Sequence, residues 1–222
     1  MTCARFVRYV LEKEGDVAAV IAEPLRSVPY IPPPGFWQEV RQACNEHGAL
    51  LIFDEIPTGL GKTGRMFACD HENVVPDILV LGKALGAAFC REKNPVTSRA
   101  ALTTIEIIED ENLVENAAEL GDYALKCLNQ LKVVHPVIGD VRGCGFLIGV
   151  ELVQEQKSKT PAADLAEDVF YRCLDRGLSF KVSMGNVLTL TPPLILNREQ
   201  MDFALEAIDA SLGEAEEAFG LS

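Results

Sequence analysis

Two residues of opposite charge, Lys83 and Asp54, each stand just beyond a short apolar run of this 222-residue sequence. A lysine in a partly desolvated pocket can lose its proton and attack a carbonyl carbon, which gives a Schiff base. A carboxylate that emerges from an apolar strand needs a cationic partner, and the protonated pyridine nitrogen of a pyridoxal cofactor would be one. Position alone leaves two simpler interpretations open, a surface lysine in a turn and an aspartate that caps the following loop.

The apolar runs before these residues predict buried strands. A continuous short run is typical of a strand covered on both faces, as in a parallel sheet. Chemistry in such sheets lies at the carboxyl ends of the strands, so Glu23, Asp54 and Lys83 should share one edge. The predicted strands are residues 17–22, 49–53 and 77–81, and the predicted helices beside them are residues 2–14 and 35–47.

The second half of the sequence has a different, α+β pattern. It therefore predicts a second domain, with residues 1–110 as the first domain and residues 111–222, including the connecting helix, as the second. The predicted helices are residues 95–109, 111–131, 161–176 and 197–213, and the predicted strands are residues 145–152, 178–182 and 186–190.

Composition and charge are those of a globular protein that binds neither nucleic acid nor membrane. Twenty basic and 33 acidic residues give a formal net charge of −13, which repels phosphate backbones and anionic lipid. No apolar run reaches transmembrane length. The seven cysteines form no CxxC pair and the three histidines have no metal-ligand spacing, so we predict neither a disulfide framework nor a metal site. Reduced cysteines and the lack of a signal-peptide pattern predict a cytoplasmic protein.

A glycine-rich stretch, residues 58–64, contains Gly-Lys-Thr. It lacks the G-x-x-x-x-G-K-[ST] spacing of a nucleotide-binding P-loop, so a P-loop enzyme is excluded. We predict instead a tight surface loop whose backbone needs positive φ angles.

Several motifs, taken in order, resemble those of the class III aminotransferases. The resemblance covers nearly the whole chain, and the number and order of the motifs make it specific. The motifs are VIAEP at residues 20–24, ALLIFDEIPTGLGKTG at 49–64, PDILVLGKALG at 76–86, NP at 94–95, GCGFLIGVE at 143–151 and GNVLTLTPPL at 185–194.

The resemblance implies an α/β protein of fold type I, the aspartate-aminotransferase-like fold of pyridoxal-phosphate enzymes. Residues 1–110 would be a partial large domain that binds the cofactor, and residues 111–222 an α+β C-terminal small domain. Lys83 matches the Schiff-base lysine, Asp54 the aspartate that pairs with the pyridine nitrogen, and Glu23 the glutamate that lines the same pocket. The resemblance further implies pyridoxal 5′-phosphate as the cofactor, a small-molecule amino substrate and a homodimer.

Some positions depart from the family pattern, and they bear on the substrate. Pro57 stands where the family usually has a glutamine that touches the ring hydroxyl. Thr189 replaces an arginine that grips a substrate carboxylate, and Val28 replaces its glutamate partner; losing both is coherent because one charge left alone would be costly. Arg26 is then the candidate for binding an anionic phosphonate or phosphate group. This pattern resembles the subgroup of ammonia-lyases that act on aminoethylphosphonate-type substrates.

The resemblance is to the C-terminal half of the family. The N-terminal half supplies the glycine/serine turn for the cofactor phosphate and the aromatic that stacks on the ring, and these 222 residues contain neither motif. Between Gly86 and Glu92 the family also has a strand with its loops, roughly 20–25 residues, that is missing here. Three functions stay open: an aminotransferase acting through Lys83 and impaired by truncation, an ammonia-lyase for a phosphonate- or phosphate-bearing amine, and a catalytically inactive remnant.

Overall fold

Two sheets of different type organise the fold, one in each of two units, Met1–Glu115 and Asn116–Ser222. The computed structural model describes residues 2–85 and 95–221 of the chain. The segment between Gly86 and Glu92, where the sequence analysis expects a family strand to be missing, lies outside these described residues. Asn94 of the Asn-Pro motif lies outside them as well. The boundary predicted between residues 110 and 111, which separates a cofactor-binding domain from a small domain, stays a prediction.

Unit 1 is built on the parallel sheet that the apolar runs predict. The strand order is β1-β2-β3, and all three strands run in the same direction. Each predicted strand and helix of this unit is confirmed, with ends displaced by at most two residues. The strands are β1 Ala19–Ala22, β2 Leu50–Asp54 and β3 Ile78–Val80, and the helices are α1 Thr2–Glu14, α2 Phe36–His47 and α3 Pro95–Asp110.

One face of the β1–β3 sheet forms the core of unit 1. Leu51 and Phe53 of β2 are fully buried there against α1 and α2. The ring of Trp37 from α2 meets that of Phe53 edge-on, with centroids 4.7 Å apart. The Trp37 indole Nε1–H donates to the Pro24 carbonyl oxygen at 2.8 Å, which fastens the loop after β1 to this core. The polar end of a buried tryptophan is therefore satisfied, as burial requires.

The opposite face of the same sheet carries apolar side chains that no described element covers. Ile21, Ile52 and Ile78 are partners across the three strands and therefore point to the same side. Ile21 is 65% exposed and Ile78 is 44% exposed, while Leu50, two residues from Ile52, is 45% exposed. We call these four residues the isoleucine face.

Unit 2 contains a four-stranded antiparallel sheet of order β4-β5-β7-β6. Helices pack on it around a core that includes Phe146, Ile148 and Leu188. The last helix is longer than predicted, ending at Phe219, and its start is capped by reciprocal hydrogen bonds between Asn197 and Gln200. The strands are β4 Ile138–Cys144, β5 Leu147–Leu152, β6 Lys181–Ser183 and β7 Val187–Leu190, and the helices are α4 Leu113–Val134, α5 Ala163–Asp175 and α6 Arg198–Phe219.

Strand β4 was not predicted from the sequence. Its residues include two glycines, an aspartate and an arginine, and they show no apolar alternation. The glycines are required by close packing, because a Cβ on Gly139 would lie 2.5 Å from Val153 Cγ1 and one on Gly143 would lie 2.6 Å from the Leu147 carbonyl oxygen. The register also shifts at Gly139, as glycine in a strand often indicates.

A histidine fastens α6 to the end of α4. His135, 5% exposed, follows α4 directly, and its two ring nitrogens each lie 2.7 Å from a carboxylate oxygen of α6. Nδ1 faces Glu216 and Nε2 faces Asp209. No helix within residues 2–85 and 95–221 has the length and apolar content needed to cross a membrane.

Candidate active site

The carboxyl edge of the β1–β3 sheet brings the predicted site residues to one end of unit 1. Ala22 of β1 pairs with Phe53 of β2, so Glu23 and Asp54 follow at the same level of neighbouring strands. Asp54 in turn pairs with Val80, the last residue of β3, and Lys83 follows three residues later. The parallel register therefore places all three residues at the same edge, as the apolar runs predict.

Lys83 has a backbone conformation that is uncommon for a residue with a side chain. Its φ is 35°, within the left-handed region, and it begins a single 3₁₀ turn, Lys83–Leu85. The side chain is exposed. Non-glycine residues held at positive φ cost energy and are found most often at functional sites. This strain is a signal for Lys83 that is independent of its position after a strand.

Asp54 is the last residue of β2 and is half-buried. Its Oδ1 accepts a hydrogen bond from the Ile56 backbone N–H at 3.0 Å, which is a local turn contact of the kind that aspartate favours. This hydrogen bond agrees with the interpretation that Asp54 caps the following loop. Because one carboxylate oxygen makes the bond, the side chain has a fixed direction and its other oxygen can meet a cationic group.

Glu23 and Arg26 lie in the loop after β1. The Glu23 Oε2 accepts from the Ser27 backbone N–H at 2.7 Å, which closes a turn around the Glu-Pro motif. Arg26 is exposed, and its guanidinium lies over the Tyr30 ring, 5.8 Å from the centroid. The Arg26 N–H also donates to the Tyr30 carbonyl oxygen at 3.3 Å. Arg26 is thus held by its own loop, while Glu23 stands at the strand edge.

The glycine-rich stretch after β2 is not the surface loop that the sequence predicts. Leu60, Gly61 and Gly64 do have positive φ, at 60°, 86° and 80°, so that part of the prediction is confirmed. However, Thr58 and Thr63 are 0% and 1% exposed, which makes the loop largely buried. It is buried because it folds back against the strand end. Burial also lowers the pKa of the Lys62 amine in this loop.

Glu55 is a residue of this region to which the sequence analysis gave no role. It is 1% exposed, and its Oε2 accepts from the Thr58 hydroxyl at 2.6 Å and from the Ala68 N–H at 2.9 Å. Its Oε1 accepts from the Cys69 N–H at 2.8 Å. Burial, followed by the charge of Glu55, raises the pKa of the Cys69 thiol to about 12. The strand alternation was the available signal, because Glu55 has the same parity as the buried residues Leu51 and Phe53.

Thr189 lies in unit 2, on β7, and is 4% exposed. Its hydroxyl donates to the Ser183 Oγ at 2.9 Å on the paired strand β6. The threonine at the position of the family arginine is therefore satisfied within the sheet. It presents no charge that would need a partner, which agrees with the apolar Val28 at the other departing position.

The chain belongs to the class III aminotransferase family. The family model matches it in two stretches, residues 1–93 and 91–212. These stretches meet in the segment where the sequence lacks a family strand. The fold of the chain is correspondingly that of fold type I transaminases, of which it represents about half.

Particular relatives carry different activities in their names. The chain is 39% identical to an (R)-1-hydroxy-2-aminoethylphosphonate ammonia-lyase from Vibrio splendidus, over 95% of this chain and 49% of that one. It is 37% identical to a leucine/methionine racemase from Thermococcus litoralis, over 98% and 55%. A Bacillus anthracis aminotransferase structure superimposes with a TM-score of 0.90 at 30% identity, covering 96% of this chain and 56% of that one. The chain thus spans about half the length of these relatives.

Proposed function

We propose that this chain is a pyridoxal-phosphate-dependent enzyme of the class III aminotransferase type, with Lys83 as the catalytic residue. The observation that carries the proposal is that Asp54 and Lys83 both lie at the carboxyl edge of adjacent parallel strands. Glu23 would line the same pocket from the third strand. The reaction would be amino-group transfer on a small amine.

The side chains at this edge suit the cofactor in charge and in direction. Bound there, pyridoxal phosphate would supply an electron-withdrawing ring that accepts the electron pair of a bond broken at the substrate carbon. Asp54, oriented by Ile56, would hold a proton on the pyridine nitrogen. The exposed Lys83 amine would hold the cofactor, and in its free form it would carry a proton at Nζ to and from the substrate carbon.

The second candidate reaction is elimination of ammonia from an amine that carries a phosphonate or phosphate. Two observations favour it: the similarity to the named ammonia-lyase, and a neutral, internally bonded Thr189 where a carboxylate-binding arginine is usual. Arg26 would bind the anionic group, since its exposed guanidinium can donate two parallel hydrogen bonds to a phosphonate. We further propose a homodimer and a cytoplasmic location, the latter supported by the free thiols of all six cysteines within the described residues.

The test is a visible absorbance spectrum of the purified chain with added pyridoxal phosphate. We expect the absorbance band of a lysine-bound cofactor in the wild-type chain and in Lys62→Ala, and its loss in Lys83→Ala. Lys62 is the matched control because its lowered pKa makes it the lysine that could react without a site. A band that survives equally in Lys83→Ala would reject the proposal and identify the chain as an inactive remnant.

A second arm of the experiment tests the substrate. Titration with an aminoalkyl phosphonate should shift the band, and Arg26→Ala should weaken this response about tenfold or more, as expected for a charge-assisted hydrogen bond. Arg5→Ala, on the exposed side of α1, is the control. If the phosphonate response of Arg26→Ala equals that of the wild-type chain and of Arg5→Ala, Arg26 has no part in substrate binding.

A further inference from the structure

Glu55 follows strand β2 directly, and its carboxylate is buried. A buried carboxylate is tolerated only when donors replace the water that it loses. The structure supplies three: the Thr58 hydroxyl, the Ala68 N–H and the Cys69 N–H. Glu55 therefore closes the segment from residue 56 to residue 67 into a loop whose two ends meet at one side chain.

The main chain of Glu55 connects this closure to the strand edge. Its N–H donates to the Val80 carbonyl oxygen of β3 at 2.9 Å. Its carbonyl oxygen accepts from the Thr58 N–H at 3.3 Å and the Gly59 N–H at 2.9 Å, which forms a tight turn over residues 55–59. Because Thr58 also donates its hydroxyl to the Glu55 side chain, the turn is held from both the main chain and the side chain.

This turn contacts Asp54 and the two residues that precede Lys83. Ile56, its second residue, gives the N–H that orients the Asp54 carboxylate. A Cβ placed on Gly82 would lie 3.2 Å from Ile56 Cγ1, so the residue immediately before Lys83 rests on the turn. One on Gly59 would lie 3.3 Å from Leu81 Cδ2, which shows the same close packing one residue earlier.

We infer that Glu55 is a positioning residue of the candidate active site, which orients Asp54 and seats the Leu81–Gly82–Lys83 segment through the turn of residues 55–59. The inference rests on the proposed function of Lys83. Glu55 itself would touch neither cofactor nor substrate, because it is 1% exposed and both of its oxygens accept hydrogen bonds from the loop. A purely structural Glu55 would affect the stability of unit 1 and leave the choice of lysine unchanged.

The experiment maps which lysine of the full chain reacts with pyridoxal phosphate. Borohydride fixes the adducts, and peptide mass spectrometry gives the ratio of Lys83 labelling to that of Lys126, an exposed lysine of α4 that lies outside the loop closed by Glu55. We compare the wild-type chain with Glu55→Gln and with Thr58→Val, an isosteric change that removes one donor and keeps the carboxylate. Glu216→Gln is the matched control, because Glu216 is a buried carboxylate of unit 2 that is bonded to His135. Circular dichroism confirms that each variant is folded at the assay temperature.

We expect the Lys83:Lys126 ratio to fall about tenfold or more in both turn variants, the size of effect that small displacements of reacting groups produce. It should be unchanged in Glu216→Gln. Hydrogen exchange of the Ile56 and Gly59 amides, measured without cofactor, should rise in the same two variants.

The other outcomes each decide the matter. If folded Glu55→Gln and Thr58→Val keep the wild-type ratio, the positioning role is wrong and the proposed function stands. If the wild-type chain shows no preference for Lys83, the proposed function fails and this inference with it. If Glu55→Gln does not fold, Thr58→Val alone decides, because a single lost hydroxyl leaves two of the three donors in place.

Discussion

At the scale of single residues, His135 has demanding surroundings because a carboxylate faces each of its ring nitrogens. Ionised carboxylates only accept hydrogen bonds, so both Nδ1–H and Nε2–H must donate and the ring must carry a positive charge. Burial lowers the pKa of this histidine, but hydrogen bonds to Asp209 and Glu216 and the charges of both outweigh it, so that the pKa is raised. His135 is therefore charged in the pH range where an isolated histidine loses its proton.

We predict that His135 makes unit 2 less stable at alkaline pH. A raised pKa means that its contribution is complete below the unfolded-state value of about 6.5 and is lost as the pH rises through the higher folded-state value. Denaturant unfolding at a series of pH values from 6 to 9 should show a decline for the wild-type chain and a flatter profile for His135→Gln. His47→Gln, at an exposed position of α2, is the control. Parallel profiles for the wild-type chain and His135→Gln would contradict the prediction.

The site residues differ in whether the neighbouring sequence indicates their role. Asp54 and Lys83 follow strong apolar runs, so their shared edge could be predicted from strand propensity and the parallel arrangement alone. The role of Glu55 could not, because its donors Ala68 and Cys69 lie 13 and 14 residues away and nothing local indicates that the chain returns there. The burial of the glycine-rich loop was missed for the same reason.

At the scale of elements, two glycines in helix interiors differ in the space around them. Gly121 of α4 packs onto the turn between β4 and β5, and a Cβ there would lie 2.3 Å from the Gly145 carbonyl oxygen. Gly213 of α6 has room, since the nearest atom to an added Cβ is His135 Cε1 at 3.9 Å. The first glycine permits a close approach of helix and sheet, and the second only weakens its helix.

Substitution of these two glycines by alanine should therefore change stability in opposite directions. Gly121→Ala must displace backbone, which we expect to lower the free energy of unfolding by about 1–3 kcal/mol. Gly213→Ala should raise it by about 1 kcal/mol through helix propensity. Denaturant unfolding at neutral pH measures both. If Gly121→Ala leaves stability unchanged or raises it, the packing of α4 on the β4–β5 turn is not as tight as described, and destabilisation by Gly213→Ala would contradict the second expectation.

The elements that are determined by local sequence could be predicted, and strand β4, which depends on tertiary packing, could not. β1, β2 and β3 are continuous apolar runs, and α6 has an N-cap residue, so sequence periodicity finds them. β4 exists because Gly139 and Gly143 allow close packing across the sheet, and a lone sequence shows glycine there as a strand breaker. Its strand identity comes from tertiary packing rather than from propensity.

At the scale of the whole molecule, the isoleucine face is an apolar surface on a kind of sheet that is normally covered on both sides. Its strands are short and run parallel, so side chains line up across the strands at Ile21, Ile52 and Ile78. Contiguous apolar surface of this kind promotes association, even on a chain with a net charge of −13.

We predict that Ile21→Lys reduces self-association of the chain several-fold in static light scattering at matched concentration, because it places a charge at a 65% exposed residue of the apolar patch. Val75→Lys is the control: Val75 is 80% exposed but lies outside the isoleucine face. A similar reduction by both changes would assign the effect to added charge rather than to the face.

The two hydrophobic cores have no residue in common, one built on β1–β3 and the other on β4–β7. Cooperativity in folding depends on a shared core, and each unit has its own. A melting curve of this chain should then be a superposition of two transitions, with the pH-sensitive one belonging to the unit that contains His135. A single midpoint temperature would describe neither unit. Spectral probes confined to one core, such as the fluorescence of Trp37, would report the unfolding of unit 1 alone.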